Sequence, residues 1–309
     1  MFNKIIALLL LVCSLSVQAQ QKPIRMVIAF GASGITDILT RKFEEPLEKE
    51  LGRKIIIEPR AGAAGYIAFK HMANVRSDEV VIAITDSMAL SNVMLLYDDV
   101  NVDDFKYVAQ LGYTQGLVLA VRKGSPLKNF DYWRNYRGTP LNVGVNGMGA
   151  AHHFYSWSLS NQVTFPKTDI YYKGSGEMIT QVIGGHVDAI WSNLASIIQF
   201  ENTGKVDIVA VTNNKRIDVI PNTPTFKELG VEMPSKPMFI VIANNTSDTA
   251  TLKEVERSVT KLLNTPEFVK SLSLELLIDP GTGAEARADT EKYLKAQAKF
   301  IEYVKTLKK

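Results

Sequence analysis

The sequence predicts an α/β protein built as two successive sheet-and-helix units. Three observations lead there. Apolar stretches of strand length alternate with stretches whose apolar residues recur every three or four positions. The alternation runs through once and then begins again after about residue 117. Turns rich in glycine and small residues fall where a strand ends and a helix begins. Near-continuous apolar strands alternating with helices imply parallel sheets covered on both faces.

The first unit opens with an apolar strand, Ile24 to Phe30, which breaks at Gly31-Ala32-Ser33-Gly34. Ile35, Ile38, Leu39, Phe43, Leu47 and Leu51 then share one helical face, with Pro46 inside and Gly52 as the stop. Ile55 to Glu58 is a second strand, Arg60 to Gly65 a turn, and a helix runs on through Ala73. Val80 to Thr85 is a third strand, and Asp86-Ser87 starts the next helix. The second unit has strands at Leu117 to Arg122, Leu141 to Asn146, Ile170 to Tyr172, Ala189 to Ser192 and Asp207 to Thr212. Helices follow the Gly147-Met148-Gly149 and Lys173-Gly174-Ser175-Gly176 turns. After Pro234 to Pro237 come the strand Phe239 to Ala243 and helices at Asp248 to Asn264, Pro266 to Ser271 and Ala284 to Leu307.

The first residues are read as a leader. Lys4 precedes an apolar run from Ile5 to Leu11, and Val17 and Ala19 are small residues at the two positions a signal peptidase reads. Cleavage is expected after Ala19, leaving residues 1–19 as a signal peptide and an exported, periplasmic chain. Cys13, the one cysteine, lies in that leader. A lipid anchor there would need a small residue before it, where Val12 stands. The expected mature chain therefore has no thiol for a disulfide, a metal or a nucleophile. A net charge of +3 on 309 residues is too small to point to nucleic acid.

The turns at Gly31 to Gly34, Asp86-Ser87, Gly147 to Ala150, Lys173 to Gly176 and Asn193 all sit at carboxyl ends of strands, where open α/β sheets bind ligands. N–H groups at helix starts carry partial positive charge and suit a carboxylate or phosphate. Every doubly wound fold has such turns. Two sets, one per unit, favour a cleft between the units. Catalytic readings find less: Gly31 to Gly34 lacks G-x-S-x-G spacing, and Gly144 to Gly149 is no dinucleotide fingerprint. Adjacent His152 and His153 point about 100° apart on a helix, so no metal is expected. One is expected to orient the cleft turn and the other to face solvent. Trp133, Trp157 and Trp191 read as packing residues.

At this point the residues resemble the periplasmic receptors of tripartite tricarboxylate transporters, the Bug family. The most specific stretch is Tyr172-Lys173-Gly174, Ile183-Gly184-Gly185-His186-Val187-Asp188, Arg216 to Pro221, Pro224-Thr225 and Glu228-Leu229-Gly230. Lys22-Pro23-Ile24-Arg25, Thr36-Asp37, Arg41, Arg60 and Gly62-Ala63 also fit. The resemblance implies a type 2 periplasmic-binding-protein fold, a flytrap of two α/β lobes around a ligand cleft. It also implies no catalysis, no cofactor and a small carboxylate-bearing ligand, mostly a mono-, di- or tricarboxylate and in some members an amino acid or aromatic acid; for this chain a monocarboxylate, a dicarboxylate or an amino acid is expected. The implied contacts are Phe30, Gly31, Ala32, Ser33, Gly34 and Asp37, then Asp86 and Ser87, then Gly149, Ala150, Lys173, Gly174 and Asn193. The chain departs from the family at Ala29, Gly31, Ser33, Pro59, Asp78-Glu79-Val80-Val81, Asp86 and Ala150.

Lobe one is expected at 22–121 plus 237–309 and lobe two at 122–236, with the lobes rotating about two crossings when ligand enters. The implied partners are the ligand and the membrane subunits of a transporter, with the receptor a monomer. A sensing subunit for a membrane kinase is the alternative, and a periplasmic hydrolase or lyase a more distant one. The N–H groups of Ser33, Gly34, Gly149 and Ala150 are the expected carboxylate donors. Asp86 is the odd residue. Facing the cleft, it would repel a second ligand carboxylate by about 4 kcal/mol at ~4 Å and an effective dielectric near 20. Facing away, it would simply cap its helix.

Overall fold

The computed structural model describes residues 22–76 and 79–307; the leader and Cys13 lie outside them. In chain order the elements are β1 Ile24–Ile28, α1 Ile35–Leu51, β2 Ile55–Pro59, α2 Tyr66–Ala73, β3 Val81–Asp86, α3 Ser87–Leu96 and β4 Phe105–Thr114. There follow β5 Leu117–Arg122, α4 Phe130–Asn135, β6 Leu141–Val145, α5 Ala151–Ser160, β7 Lys167–Tyr171, α6 Ser175–Gly184, β8 Ala189–Asn193, α7 Leu194–Asn202 and β9 Val206–Val211. The chain ends with β10 Met238–Asn244, α8 Thr249–Leu263, α9 Pro266–Ser271, β11 Leu276–Thr282, α10 Gly283–Ala296 and α11 Ala298–Leu307.

Two mixed sheets form two lobes. The first has the strand order β11-β4-β10-β3-β1-β2 and the second β7-β6-β8-β5-β9. Only part of the expected parallel pairing is present: β1 runs parallel to β2 and β3, and β6 parallel to β7 and β8. β10 is antiparallel to β3 and β4, and β5 to β8 and β9. These antiparallel strands adjoin the points where the chain passes between lobes.

Alternation along each strand sends side chains to two faces, and each face has its own core. In lobe one, Met26, Ile82 and Ile84 pack with Leu39 and Phe43 of α1 and Val255 and Val259 of α8. Their neighbours Val27, Ala83 and Ile240 meet Phe69 and Met72 of α2 and Leu90 of α3. In lobe two, Leu119, Val143 and Trp191 pack with Tyr155 and Trp133, while Val118, Ala120 and Ile190 face Met178 of α6 and Ile197 of α7. Each large side chain buried this way contributes about 1.5–3 kcal/mol.

Three expectations need correction. The first crossing is at Gln115-Gly116, not near Val121, because Leu117 to Val121 are already hydrogen-bonded between β8 and β9 in the second sheet. Strands β4 and β11 were absent from the sequence reading; β11 is an edge strand with much of its length exposed and a register shift beside Asp279-Pro280. The single C-terminal helix is two, divided at Gln297. The second of them is not confined to lobe one. Phe300 of α11 contacts His153, Phe154 and Trp157 of lobe two, while Val304 shares a cluster with Leu95 and Leu96 of lobe one.

Candidate functional site

The lobes meet along the carboxyl ends of β1 and β3 on one side and of β6, β7 and β8 on the other. After β1 the chain turns through Gly31 to Gly34 into α1. Ser33 takes a left-handed φ of 61°, held because its N–H donates to Asp37 Oδ2 at 2.9 Å while Asp37 Oδ1 accepts from Arg41 Nε at 2.8 Å. Such a conformation costs a non-glycine residue ~1 kcal/mol or more, and the Asp37 bond offsets it. After β3, Asp86 caps α3 by accepting the Ala89 N–H at 2.7 Å. In lobe two, His153 Nδ1 accepts the Gly149 N–H at 3.0 Å, and Asn146 Oδ1 accepts the His152 N–H at 3.2 Å.

The two sides are in contact. Gly31 N donates to Lys173 O at 2.8 Å. Asn92 Nδ2 donates to Gly149 O at 2.8 Å, and Thr114 Oγ1 to Asn193 Oδ1 at 3.3 Å. Between them lies a small cavity, walled by Phe30, Gly34, Thr36 and Asp86 from lobe one and by Asn146, His152, Gly174, Ser175 and Asn193 from lobe two. With the lobes this close, a water-sized sphere can centre itself in only about 20 Å³, little more than one water requires. A solute of several heavy atoms must enter with the lobes further apart.

Among the expected contact residues, Phe30, Gly34, Asp86, Gly174 and Asn193 line this cavity. Gly31, Ala32, Ser33, Asp37, Ser87, Gly149, Ala150 and Lys173 do not, although Lys173 borders an adjoining open hollow that shares Phe30 and Asn146. All four expected carboxylate donors have internal acceptors: Ser33 N bonds Asp37, Gly34 N bonds Gly31 O, Gly149 N bonds His153, and Ala150 N bonds Gly147 O. Ser87 Oγ donates to Asp289 Oδ2. The free donors lie one or two residues further along. Among the described residues, the N–H groups of Ile35 and Thr36 on α1, Ala151 on α5 and Ser175 on α6 have no hydrogen-bond acceptor, and all four residues line the cavity. Cap residues spend their own N–H on the turn, whereas N–H groups of the first helical turn project beyond the helix end.

His152 also lines the cavity; of the two histidines, one was expected to orient the cleft turn and the other to face solvent. Neither histidine faces solvent: His152 is 2% exposed and His153 0%. Burial pushes His152 down to about 3 and His153 to about 4, so both are neutral. Thr114 donates to Asn193 Oδ1, which leaves the Asn193 amide N–H facing His152 Nε2 at 3.2 Å. Nε2 is therefore the acceptor and the ring proton sits on Nδ1, which is buried with no partner. Thr36 Oγ1 is likewise buried and unpaired. Trp133 and Trp191 are in the lobe-two core, and Trp157 packs on Phe300; none lines the cavity.

Asp86 both caps its helix and lines the cavity. Burial pushes its pKa up to about 6, opposed by the Ala89 N–H and reinforced by Asp289. A folded value above the unfolded one makes its contribution most favourable below about pH 4 and progressively lost as pH rises through 6. At neutral pH the burial costs about 3 kcal/mol. Asp86→Asn, which keeps a capping oxygen, is expected to raise the melting temperature of the ligand-free protein at pH 7.5 by a few degrees, with the advantage shrinking by pH 4. Thermal melts of both proteins across that range check it. An equal gap at both ends would tie the effect to something other than ionisation.

Residues 39–299 match the sequence profile described as the tripartite tricarboxylate transporter family receptor. This chain belongs to that family. Among curated proteins, it is 28% identical over 261 residues to the UPF0065 protein in the gbd 5' region of Cupriavidus necator, covering 82% of this chain and 78% of that protein. Among solved structures, the periplasmic binding protein BugD superposes with a TM-score of 0.83 at 22% identity, covering 92% of this chain and 98% of that one. MatC from Rhodopseudomonas palustris, with bound malate, superposes at 0.74 and 19% identity over 88% and 98%. At such identities the superpositions establish that this receptor has the two-lobe binding-protein fold.

Proposed function

We propose that this receptor is exported, cleaved after Ala19, and works in the periplasm as a monomer that captures a small carboxylate-bearing solute and presents it to the membrane subunits of a tripartite tricarboxylate transporter. The observation that carries the reading is the convergence of three helix starts on the cavity between the lobes. Four unpaired backbone N–H groups, the Thr36 hydroxyl and the His152 Nδ1–H form a cradle of neutral donors. Each hydrogen bond to a charged acceptor is worth about 1.5–3 kcal/mol, so a carboxylate can be held without a lysine or arginine. None lines the cavity wall among the described residues. Malate in MatC is in keeping with a carboxylate ligand.

The cradle holds charge but offers no activated nucleophile, and the ligand is expected to leave chemically unchanged. A thermal-shift screen across carboxylates and amino acids tests capture, because a ligand bound only by the folded state raises apparent stability by mass action. At a hundredfold excess over Kd the gain is about 2.7 kcal/mol. Small-angle scattering at saturation should show a smaller radius of gyration. No stabilisation by any member of the panel would refute the reading. Intact mass of the exported protein tests the leader: the first residue is expected to be Gln20, and a lipid adduct on Cys13 would contradict this.

A further inference from the structure

We propose that Asp86 is the counter-charge for a cationic nitrogen on the ligand, so that the cleft takes a small carboxylate bearing an ammonium group in preference to a plain di- or tricarboxylate. This rests on the receptor reading above and narrows it.

Four features of the cavity support it. Among the described residues, Asp86 is the one acidic residue on the wall, and it is 7% exposed. Its Oδ1 is taken by the Ala89 N–H, and no described side chain donates to its other oxygen. No lysine or arginine lines the wall among the described residues. The groups that act on Asp86 from neighbouring elements give it no compensating charge. Asp289 of α10 has the same sign. Tyr155 of α5 and Tyr293 of α10, the nearby phenols, donate instead to backbone carbonyls at Ser235 and Lys236. His152, across the cavity wall, is neutral. A buried carboxylate without a counter-charge is costly, and a ligand that supplies one removes the cost.

The rest of the wall has the opposite preference. The free N–H groups of α1, α5 and α6, with Thr36 and His152, are all donors and suit an anion. One cavity thus has an anion-favouring set and a single cation-favouring group. A ligand with both charges satisfies each. A ligand with carboxylates at both ends sets one of them against Asp86.

The test is calorimetry on the mature chain with compounds paired to differ only by the nitrogen: alanine with propionate, aspartate with succinate, glutamate with glutarate, and citrate alone. The proteins are wild type, Asp86→Asn and Asp86→Ser, each with a melting curve to establish folding. At pH 7.5 at least one amino acid is expected to bind wild type at least tenfold tighter than its partner lacking nitrogen. Both substitutions should erase that preference, and lowering the pH to 5 should shrink it. The proposal is overturned if the nitrogen-free partners bind wild type equally or more tightly, or if the variants keep the preference. Tight binding of succinate or citrate alone sinks the ammonium assignment and leaves the receptor reading standing. Binding of no compound at all removes both.

Discussion

Replacing Gly174 with valine is expected to weaken ligand capture about 10- to 100-fold while leaving the ligand-free protein folded. A Cβ built on Gly174 would lie 2.8 Å from both the Cα and the N of Gly31 in the facing lobe. Those atoms are backbone, and Gly31 is fixed there by its N–H bond to Lys173 O, so no side chain can swing aside. Gly174 has φ of −179°, extended backbone that valine adopts readily, so the lobe itself is not strained. The clash exists only when the lobes meet. Overpacking of this kind costs about 1–3 kcal/mol, which falls on the bound state, and 1.4 kcal/mol is a factor of ten in affinity. Calorimetry with whichever carboxylate stabilises the wild type measures the loss, and scattering reports whether ligand still contracts the molecule. Unchanged affinity with normal contraction would show that the lobes need not approach this closely.

Phe300→Ala is expected to cost about 3–5 kcal/mol, the usual range for emptying a buried phenylalanine site, and to lower the melting temperature by roughly 10 °C. Phe300 is 1% exposed. Its ring lies 5.2 Å from the His153 ring, 5.1 Å from Phe154 and 5.6 Å from Trp157. These are contacts between the C-terminal helix and the helix that begins at the cleft. Loss of Phe300 should also expose Trp157, shifting its emission to the red. Phe43→Ala is the control: Phe43 is 0% exposed in the lobe-one core, edge-on to Phe268 at 4.8 Å. It should destabilise to a similar extent without changing the Trp157 signal. A melting temperature for Phe300→Ala within about 2 °C of wild type would contradict this account of α11.

Much of the fold was legible because strand and helix periodicities differ, and because glycine and proline punctuate them. The first three strands of lobe one and their helices were found where the apolar periods placed them. β4 and β11 were missed for a physical reason. β4 carries half-buried positions among its apolar ones, and β11 is an edge strand containing Asp279 and Pro280. Neither offers a continuous apolar run; both are strands because neighbours pair with them. The family resemblance was legible because its motifs are local in sequence.

The site divides along the same line. Sequence alone located the turns at the strand ends and raised the expectation, which the proposed function carries forward, that backbone donors hold a carboxylate; the family resemblance singled out Asp86 as unusual. Those features depend on residues near one another in the chain. Which N–H groups remain free follows from the local folding of each turn: Ser33 is spent on Asp37 and Gly149 on His153, each four residues away, which leaves the N–H groups of the first helical turns open. The role of His152 was decided by tertiary structure. Its tautomer depends on Asn193, which depends on Thr114 in the other lobe, and a hydrogen-bond chain joining residues 79 and 41 positions apart leaves no local trace. Whether Asp86 caps a helix or faces the cleft had looked like a choice from the sequence. Folding gives Asp86 both: its Oδ1 accepts the Ala89 N–H, and the residue lines the cavity.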